Sequence, residues 1–294
     1  MILVVGATGH LGSEICRRLR ERGADVRGLV RDTSDSAVVE RLHSLGVATV
    51  TGDIRDLSSL QSACRGVRTV ISTASATRSR QPGDGIEETD GAGQLNVVDA
   101  ARDAGVKRFV YVSYSANLDD DGPLTRAKRA AEERVRESGM DWTILRPSFF
   151  MEAWLSPALG FDYVNGAVTY YGSGTAPVSF ISLGDVAEFA VRAALDGAGS
   201  GEALELGGPE PVSLERARRI FEEATGRTFE VKRVPEEALR TQYESATDPL
   251  ARSFAALMLD LAKGDVVPMD DTLRRIPVSL RSVREYAQAV LAPG

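Results

Sequence analysis

The chain has 294 residues, 43% of them hydrophobic and 26% charged, which is typical of a globular protein with a sizeable core. Its net charge of −7 and its lack of a basic run argue against a nucleic-acid surface. Cys16 and Cys64 fall in predicted helices and favour buried thiols, so a cytoplasmic location is expected. His10 and His43 alone form no metal site. Met1 leads directly into a core strand and no apolar run approaches about 18 residues, so neither a signal peptide nor a membrane span is predicted.

The first half of the chain alternates short apolar runs with helical patterns. The apolar runs predict strands at Ile2–Val5, Val26–Val30, Ala48–Thr51, Thr69–Ser72, Phe109–Val112 and Trp142–Leu145. Helices are predicted near Leu11–Arg22, Ser36–Leu45, Leu57–Cys64, Ile86–Ala104 and Pro123–Ser138, and a glycine follows each of them except the third, where it comes two residues later. Repeated βα units predict an α/β fold with a doubly wound parallel sheet, the Rossmann arrangement.

The regular alternation ends after Pro147. Asp185 is expected to cap a helix, a strand follows at Ala203–Leu206, and Ser213 is expected to open the next helix. Further helices are predicted near Leu250–Ala262 and Ser282–Leu291. We therefore predict a dinucleotide-binding domain over residues 1–147, completed by parts of 178–207, and a smaller substrate-binding lobe from residues 148–177 and 208–294.

The most informative motif is the glycine turn after the first strand, Gly6-Ala-Thr-Gly-His-Leu-Gly12. A strand, a glycine turn and a helix N-terminus form a site for a pyrophosphate, because glycine lets the backbone approach and the first N–H groups of the helix face the anion. The alternative is a glycine-rich turn without a ligand. The predicted cofactor contacts of this turn are Gly6, Thr8, Gly9, His10, Leu11 and Gly12.

Other candidate cofactor residues follow the next strands. Arg31 closes the second strand, where an arginine pairs with the 2′-phosphate of NADP; the alternatives are a solvated arginine and, through the neighbouring Asp32, NAD. Asp53 after the third strand is expected to reach the adenine while Ile54 packs on its ring, although Gly-Asp is also common in turns. Small residues after the fourth strand, Thr73 and Ala74, would let the cofactor pass close to the backbone.

Several motifs together resemble those of the NmrA-like family, which belongs to the atypical short-chain dehydrogenase/reductases. The resemblance covers about residues 1–226 and rests on the glycine turn and on Gly52-Asp-Ile-Arg-Asp56, Asn96-Val-Val-Asp-Ala-Ala101, Gly105-Val-Lys-Arg-Phe-Val-Tyr-Val-Ser113, Ser138-Gly-Met-Asp-Trp-Thr-Ile-Leu-Arg-Pro147, Ser182-Leu-Gly-Asp-Val-Ala187 and Leu206-Gly-Gly-Pro-Glu210. It implies a Rossmann fold that binds a nicotinamide dinucleotide.

The resemblance also implies catalytic positions. Extended short-chain dehydrogenases use Tyr-x-x-x-Lys with a serine, but here Leu124 stands at the tyrosine position, four residues before Lys128. Lys128 and Ser113 are therefore the candidate catalytic residues, with Lys128 also expected at the cofactor. The alternative for Lys128 is a solvated helix lysine between Arg126 and Arg129.

Aromatic residues supply the candidate substrate pocket. Phe149, Phe150 and Trp154 follow the sixth strand, and together with Tyr114 they predict a pocket for a flat, apolar molecule; core packing is the alternative. Substitute proton donors are sought at Tyr114, Tyr170 and Tyr171, although each is expected to pack or to line the site rather than to act as an acid.

The sequence therefore predicts an NAD(P)H-dependent reductase, with NADP(H) favoured and NAD(H) possible, which transfers hydride to a quinone, enone or ketone of an aromatic or polycyclic small molecule. The resemblance also leaves open a non-catalytic regulator that binds NADP and senses redox state through a protein partner. We expect a monomer or a homodimer that binds neither nucleic acid nor membrane and holds no metal.

Overall fold

The computed structural model describes residues 1–78, 81 and 83–292, apart from the side chain of residue 78. Ten strands are present in the described chain, and seven of them form one sheet in the order β3-β2-β1-β4-β5-β6-β9. These seven are β1 (Ile2–Val5), β2 (Val26–Val30), β3 (Ala48–Thr51), β4 (Thr69–Ser72), β5 (Arg108–Val112), β6 (Asp141–Pro147) and β9 (Glu202–Leu206).

The large sheet confirms the predicted fold class. β1 pairs in parallel with β2 on one side and with β4 on the other, with Ile2 opposite both Val26 and Thr69. The strand order reverses between β1 and β4, which is the point where ligands bind in doubly wound sheets. The carboxyl ends of β1, β2, β3 and β4 therefore meet along one edge, and the residues that follow them share that edge.

Helices connect these strands as the sequence predicts. They are α1 (His10–Glu21), α2 (Ser36–Ser44), α3 (Leu57–Ala63), α4 (Gln94–Asp103), α5 (Pro123–Glu137) and α7 (Leu183–Asp196). The glycines after the first five helical patterns all adopt positive φ, as expected of left-handed positions: Gly23, Gly46, Gly66, Gly105 and Gly139.

One predicted helix differs from expectation. The pattern over residues 86–104 forms a π-helix at Ile86–Gly93, which continues into α4. A Cβ on Gly93 would lie 2.7 Å from the Glu88 carbonyl oxygen and 2.8 Å from Ile54, so a glycine is needed where the wide turn packs. A helical period alone does not distinguish the two helix types, and π turns are frequent at functional sites.

The chain divides into two compact units. The first contains residues 1–113, 123–146 and 186–204, and the second contains residues 114–122, 147–185 and 205–294. A core of apolar residues from both sheet and helices fills the first unit; it includes Leu3, Val70, Phe109, Val135 and Ile144. The predicted limits of the dinucleotide-binding domain and the substrate lobe stay predictions.

The second unit contains a three-stranded sheet in the order β10-β8-β7, made by β7 (Phe161–Asp162), β8 (Ala167–Tyr171) and β10 (Glu230–Val234). Its helices are α6 (Met151–Trp154), α8 (Leu214–Thr225), α9 (Glu236–Ser245), α10 (Pro249–Lys263), α11 (Asp270–Arg275) and α12 (Val283–Leu291). Ser213 caps α8, as predicted, by accepting a hydrogen bond from the Arg216 amide.

The expectation for Asp185 is wrong. Helix α7 already begins at Leu183, and the Ser182 hydroxyl accepts a hydrogen bond from the Asp185 amide, so Ser182 is the cap. The Asp185 carboxylate instead accepts a hydrogen bond from the Arg281 amide. An aspartate in the first helical turn and one at the cap give the same sequence signal, and Ser182 competes for the cap position.

Candidate functional site

The glycine turn lies between β1 and α1. The Gly9 amide donates to the Gly6 carbonyl at 3.0 Å, and Gly9 is the N-terminal cap residue of α1 with φ −77°. Among the described residues no side chain caps this helix, and its first turn carries no acidic residue. No carboxylate in this turn would therefore repel an anion at the start of α1.

The three glycines are needed for different reasons. Gly6 has φ +84°, and a Cβ there would lie 2.7 Å from Thr73 Oγ1. A Cβ on Gly12 would lie 2.1 Å from the Gly6 carbonyl oxygen, so α1 packs directly on the turn. Gly9 is exposed, and a Cβ there would meet only the Gly6 carbonyl oxygen, at 3.3 Å. The fold thus requires glycine at positions 6 and 12, whereas the space above Gly9 is open.

The residues after β4 lie against this turn. Both the amide and the hydroxyl of Thr73 donate to the Val5 carbonyl, at 3.0 and 3.2 Å. Gln94 Nε2 donates to the Ala74 carbonyl at 2.7 Å, and the Ser72 hydroxyl donates to Gln94 Oε1 at 2.7 Å. The structure therefore brings Gly6, Thr73 and Ala74 together at the switch in strand order.

Two ion pairs follow β2 and β3. Arg31 Nη1 donates to both oxygens of Asp84, at 2.7 and 2.8 Å. Arg55 donates through Nε and Nη2 to the two oxygens of Asp53, at 2.9 and 2.6 Å, and its amide donates to the same carboxylate. The hydrogen bonds from Arg55 lower the pKa of Asp53, with a smaller contribution from the charge of Arg31.

Asp53 thus makes the contacts that a turn aspartate makes, and its role at an adenine stays a prediction. Ile54 is 8% exposed and packs in the core of the first unit beside Gly93, while its carbonyl accepts a hydrogen bond from Asn96 Nδ2 at 3.1 Å. The loop after β3 is therefore fixed by the protein itself, and its cofactor contacts also stay a prediction.

Lys128 is buried rather than solvated, so the alternative of a solvated helix lysine is wrong. Its ammonium lies 3.1 Å from Asp90 Oδ1 and 5.4 Å from the centre of the Tyr111 ring. Burial alone would lower the pKa of Lys128, but Tyr111 and Asp90 outweigh it and raise that pKa. Asp90 Oδ2 also accepts a hydrogen bond from the Ala76 amide at 2.8 Å, which connects Lys128 with the segment after β4.

Ser113 belongs to a second buried charge cluster, centred on Glu132. Glu132 accepts from Arg129 Nη1 at 2.6 Å and from Arg146 Nε at 3.0 Å. Burial raises the pKa of Glu132, but Arg146, Ser113 and Arg129 outweigh it and hold this pKa at about 2. The Ser113 hydroxyl accepts a long hydrogen bond from Arg129 Nη1 at 3.4 Å, so Ser113 contacts this cluster, and its role as a proton donor stays a prediction.

The candidate pocket residues all lie in the second unit. The rings of Phe149 and Trp154 are buried and pack edge to face, with centroids 5.1 Å apart. Phe150 and Tyr114 are only partly buried. Phe149 and Trp154 therefore make the contacts of core residues, and the pocket stays a prediction that rests chiefly on Phe150 and Tyr114.

Two of the three substitute donors are engaged in the core. Tyr170 Oη accepts a hydrogen bond from Arg218 Nε at 2.8 Å, and the Tyr171 hydroxyl donates to the Leu159 carbonyl at 3.1 Å. Burial raises the pKa of Tyr171, which makes it a weaker acid. Both residues serve packing, as the sequence favoured for each.

The sequence reasoning missed Asp84, Asp90 and Glu132. A signal was present for Glu132, because it lies four residues after Lys128 and on the same helix face as Leu124, which is apolar. A charge on an apolar face indicates a buried pair. Asp84 and Asp90 carried no such signal.

Three comparisons with known proteins agree with this architecture. A sequence model of the NmrA-like family matches residues 1–286. A (4-alkanoyl-5-oxo-2,5-dihydrofuran-3-yl)methyl phosphate reductase from Streptomyces griseus is 34% identical over 98% of this chain and 96% of its own length. An NAD(P)H azoreductase from Xenophilus azovorans is 32% identical over 77% of this chain and 74% of its own length.

A solved structure is similar over nearly the whole chain. It is an NADPH-dependent quinone oxidoreductase from Escherichia coli in complex with NADPH, with a TM-score of 0.80 and 22% identity, and the match covers 99% of this chain and 100% of that one. The predicted family and fold are thereby confirmed, and the predicted reductase activity agrees with these relatives.

Within the residues that the structure describes, no helix is both long and apolar enough to cross a membrane. In the same part of the chain, His, Cys, Asp and Glu side chains form no group of three suited to a metal ion.

Proposed function

This chain belongs to the NmrA-like family, and we propose that it is an NADPH-dependent reductase of small conjugated molecules. The observation that carries the proposal is the glycine turn. Packing does not require a glycine at position 9, and the exposed Gly9 leaves open space at the start of α1, which no described side chain caps. The pyrophosphate of a dinucleotide fits there.

Each end of the cofactor has candidate partners in the first unit. Gly9, His10 and Leu11 would bind the pyrophosphate with Gly6, Thr8 and Gly12 shaping the turn, while Asp53 and Ile54 would hold the adenine. Arg31 would bind a 2′-phosphate through the guanidinium that now holds Asp84. Thr73 and Ala74 would line the path toward the nicotinamide, and NADPH, when bound, would supply the hydride.

The class of hydride acceptor follows from the absence of the tyrosine that serves as the acid in related enzymes. With Leu124 in place of the family tyrosine, the acid that would protonate a simple alkoxide is missing from its family position. A quinone, an enone or an azo group spreads the negative charge that hydride transfer creates, so water can supply the proton. The azoreductase and the quinone oxidoreductase named above act on acceptors of this kind. A simple ketone would be reduced more slowly.

The substrate would be flat and apolar. Phe150 and Tyr114 are partly buried aromatic residues and would contact its ring, while the buried Phe149 and Trp154 would support them from the core of the second unit. A homodimer and a monomer are equally compatible with this function.

Lys128 would position the cofactor. Its ammonium is held by Asp90, which also holds the Ala76 amide, so one carboxylate fixes both the lysine and the segment after β4. Lys128→Ala leaves Asp90 buried without its cation and should lower turnover more than tenfold, with weaker NADPH binding. Lys107→Ala, at an exposed position, is the matched control.

The decisive test measures NADPH oxidation with a panel of quinones, enones, azo dyes and simple ketones. We expect turnover with the conjugated acceptors and a loss of turnover in Lys128→Ala but not in Lys107→Ala. If Lys128→Ala keeps wild-type binding and turnover, the assignment of Lys128 is wrong.

A non-catalytic regulator is the second candidate, and the engagement of Lys128 in a buried pair with Asp90 favours it. The same assays separate the two functions. A protein that binds NADPH tightly, oxidises it with no acceptor and changes its affinity for a protein partner with cofactor state would be a regulator.

A further inference from the structure

The ion pair between Arg31 and Asp84 lies where a cofactor phosphate is expected. Arg31 follows β2, and one of its guanidinium nitrogens holds both carboxylate oxygens of Asp84 at 2.7 and 2.8 Å. The Asp84 side chain is 3% exposed, whereas that of Arg31 is 30% exposed. The carboxylate is thus mostly shielded from water, while part of the guanidinium is still reachable from solvent.

A second arginine approaches the same carboxylate. Arg55 Nη1 lies 3.7 Å from Asp84 Oδ1, while the rest of its guanidinium is bonded to Asp53. The hydrogen bonds to Asp53 contribute most to the raised pKa of Arg55, and the charges of Asp84 and Glu88 also raise it. Two arginines therefore converge on one anion, as they do around bound phosphate groups.

The segment that carries Asp84 is held by a second contact. The Thr33 hydroxyl donates to Gln81 Oε1 at 2.5 Å, and Gln81 Nε2 donates to the Thr33 carbonyl at 3.0 Å. Asp84 and Gln81 therefore both contact the residues that follow β2. Neutralising Asp84 leaves the uncharged connection in place.

From this arrangement we propose that Asp84 is a specificity-determining residue, which occupies the phosphate-binding guanidinium of Arg31 and limits the preference for NADPH over NADH. This inference rests on the proposed function. A 2′-phosphate must compete with the Asp84 carboxylate for Arg31 and is also repelled by its charge. NADH carries no 2′-phosphate, so neither this competition nor this repulsion affects its binding. Removing the charge of Asp84 should selectively strengthen the binding of ligands that carry a 2′-phosphate.

The test compares Asp84→Asn with two controls. Asp84→Glu keeps the charge, and Gln81→Ala removes the uncharged contact between the same two segments. Dissociation constants are measured for NADPH and NADH, and for adenosine 2′,5′-bisphosphate and adenosine 5′-monophosphate, which isolate the phosphate from the nicotinamide. Thermal unfolding of each variant shows whether it is folded.

In Asp84→Asn we expect two preferences to rise about tenfold: that for NADPH over NADH, and that for adenosine 2′,5′-bisphosphate over adenosine 5′-monophosphate. NADH and adenosine 5′-monophosphate should bind as before. The gain should shrink at high salt, as an interaction between partly exposed charges does. Both controls should keep the wild-type preference. Arg31→Ala combined with Asp84→Asn should show no gain, because the effect acts through Arg31.

Two failures are distinguishable. If Asp84→Asn is folded and its preference is unchanged, or if Gln81→Ala raises the preference equally, the specificity role of Asp84 is wrong while the proposed reductase stands. If the wild-type protein binds none of the four ligands, the proposed function itself fails.

Discussion

The three glycines of the turn between β1 and α1 have different roles. Gly6 and Gly12 are required by the protein, since a side chain at either would meet the backbone or Thr73. Gly9 has φ −77°, which any residue adopts, and a Cβ there meets one carbonyl oxygen at 3.3 Å. The sequence motif treats the three alike, whereas the structure separates packing from ligand binding.

A pair of variants tests this separation. Gly9→Val should abolish the binding of NADPH and NADH, since its side chain fills the space meant for the pyrophosphate, while the cooperative unfolding transition is kept. Gly12→Val should instead lose the fold, because its Cβ would lie 2.1 Å from the Gly6 carbonyl oxygen. Circular dichroism and cofactor titration give both results. Unchanged cofactor affinity in Gly9→Val would remove the basis of the dinucleotide site.

The sequence indicates single charged groups but not partners that lie far away in the chain. Arg31 and Lys128 stand out because one follows a strand and the other lies in a family motif. Their counter-ions do not: Asp84 lies 53 positions after Arg31. Pairs so far apart in sequence are set by how the strands are ordered, which no local pattern encodes.

Among the elements, α5 combines an apolar face with two buried charges. Leu124, Lys128, Ala131, Glu132 and Val135 are all buried on this helix. Lys128 pairs with Asp90 from the π-helix, and Glu132 pairs with arginines of α5 itself and with Arg146 from β6. Buried ions without partners are costly, so α5 is positioned by two charge clusters as well as by apolar contacts.

Glu132→Gln tests the second cluster. It leaves partly exposed arginines without their carboxylate and should lower the free energy of unfolding at neutral pH by about 3 kcal/mol, measured with urea. The pKa of Glu132 in the fold is about 2, against an ordinary 4.5, so the wild type should lose this stabilisation as pH falls from 4.5 to 2. Glu133→Gln, exposed on the same helix, should have little effect. Equal stabilities of the two variants would contradict the cluster.

Strands and helices could be predicted from the sequence where apolar runs and helix-ending glycines occur together. In the first unit, apolar runs of four or five residues alternate with amphipathic helices that end at glycines of positive φ, and the strand limits agree within a few residues. β8 and β10 were missed because β8 lies in an irregular aromatic stretch and β10, Glu-Val-Lys-Arg-Val, has no buried residue. An exposed edge strand lacks the pattern that marks a core strand.

For the whole molecule, the βα alternation predicted the class of sheet, but not the position of each strand or the second sheet.

Stability against pH is also a property of the whole chain, because it sums over every buried ionisable group. Glu132 makes the fold more stable as pH rises from acid values, whereas Asp260 in α10 acts in the opposite direction. Burial raises the pKa of Asp260 to about 6 from 3.8; Lys263 opposes this shift and Asp120 adds to it.

Asp260→Asn should therefore stabilise the protein above pH 6. In the wild type, the folded chain holds a proton on Asp260 that the unfolded chain has released, so stability falls as pH rises from about 4 to 6. Asparagine avoids the buried charge and should raise the free energy of unfolding at pH 8 by roughly 1–3 kcal/mol, with no difference at pH 3.5. Urea unfolding across this range measures the effect, and Glu244→Gln, which removes an exposed charge from α9, is the control. A lower stability of Asp260→Asn at pH 8 would show that the ion pair of Asp260 with Lys263 at 2.9 Å outweighs the cost of burying the carboxylate.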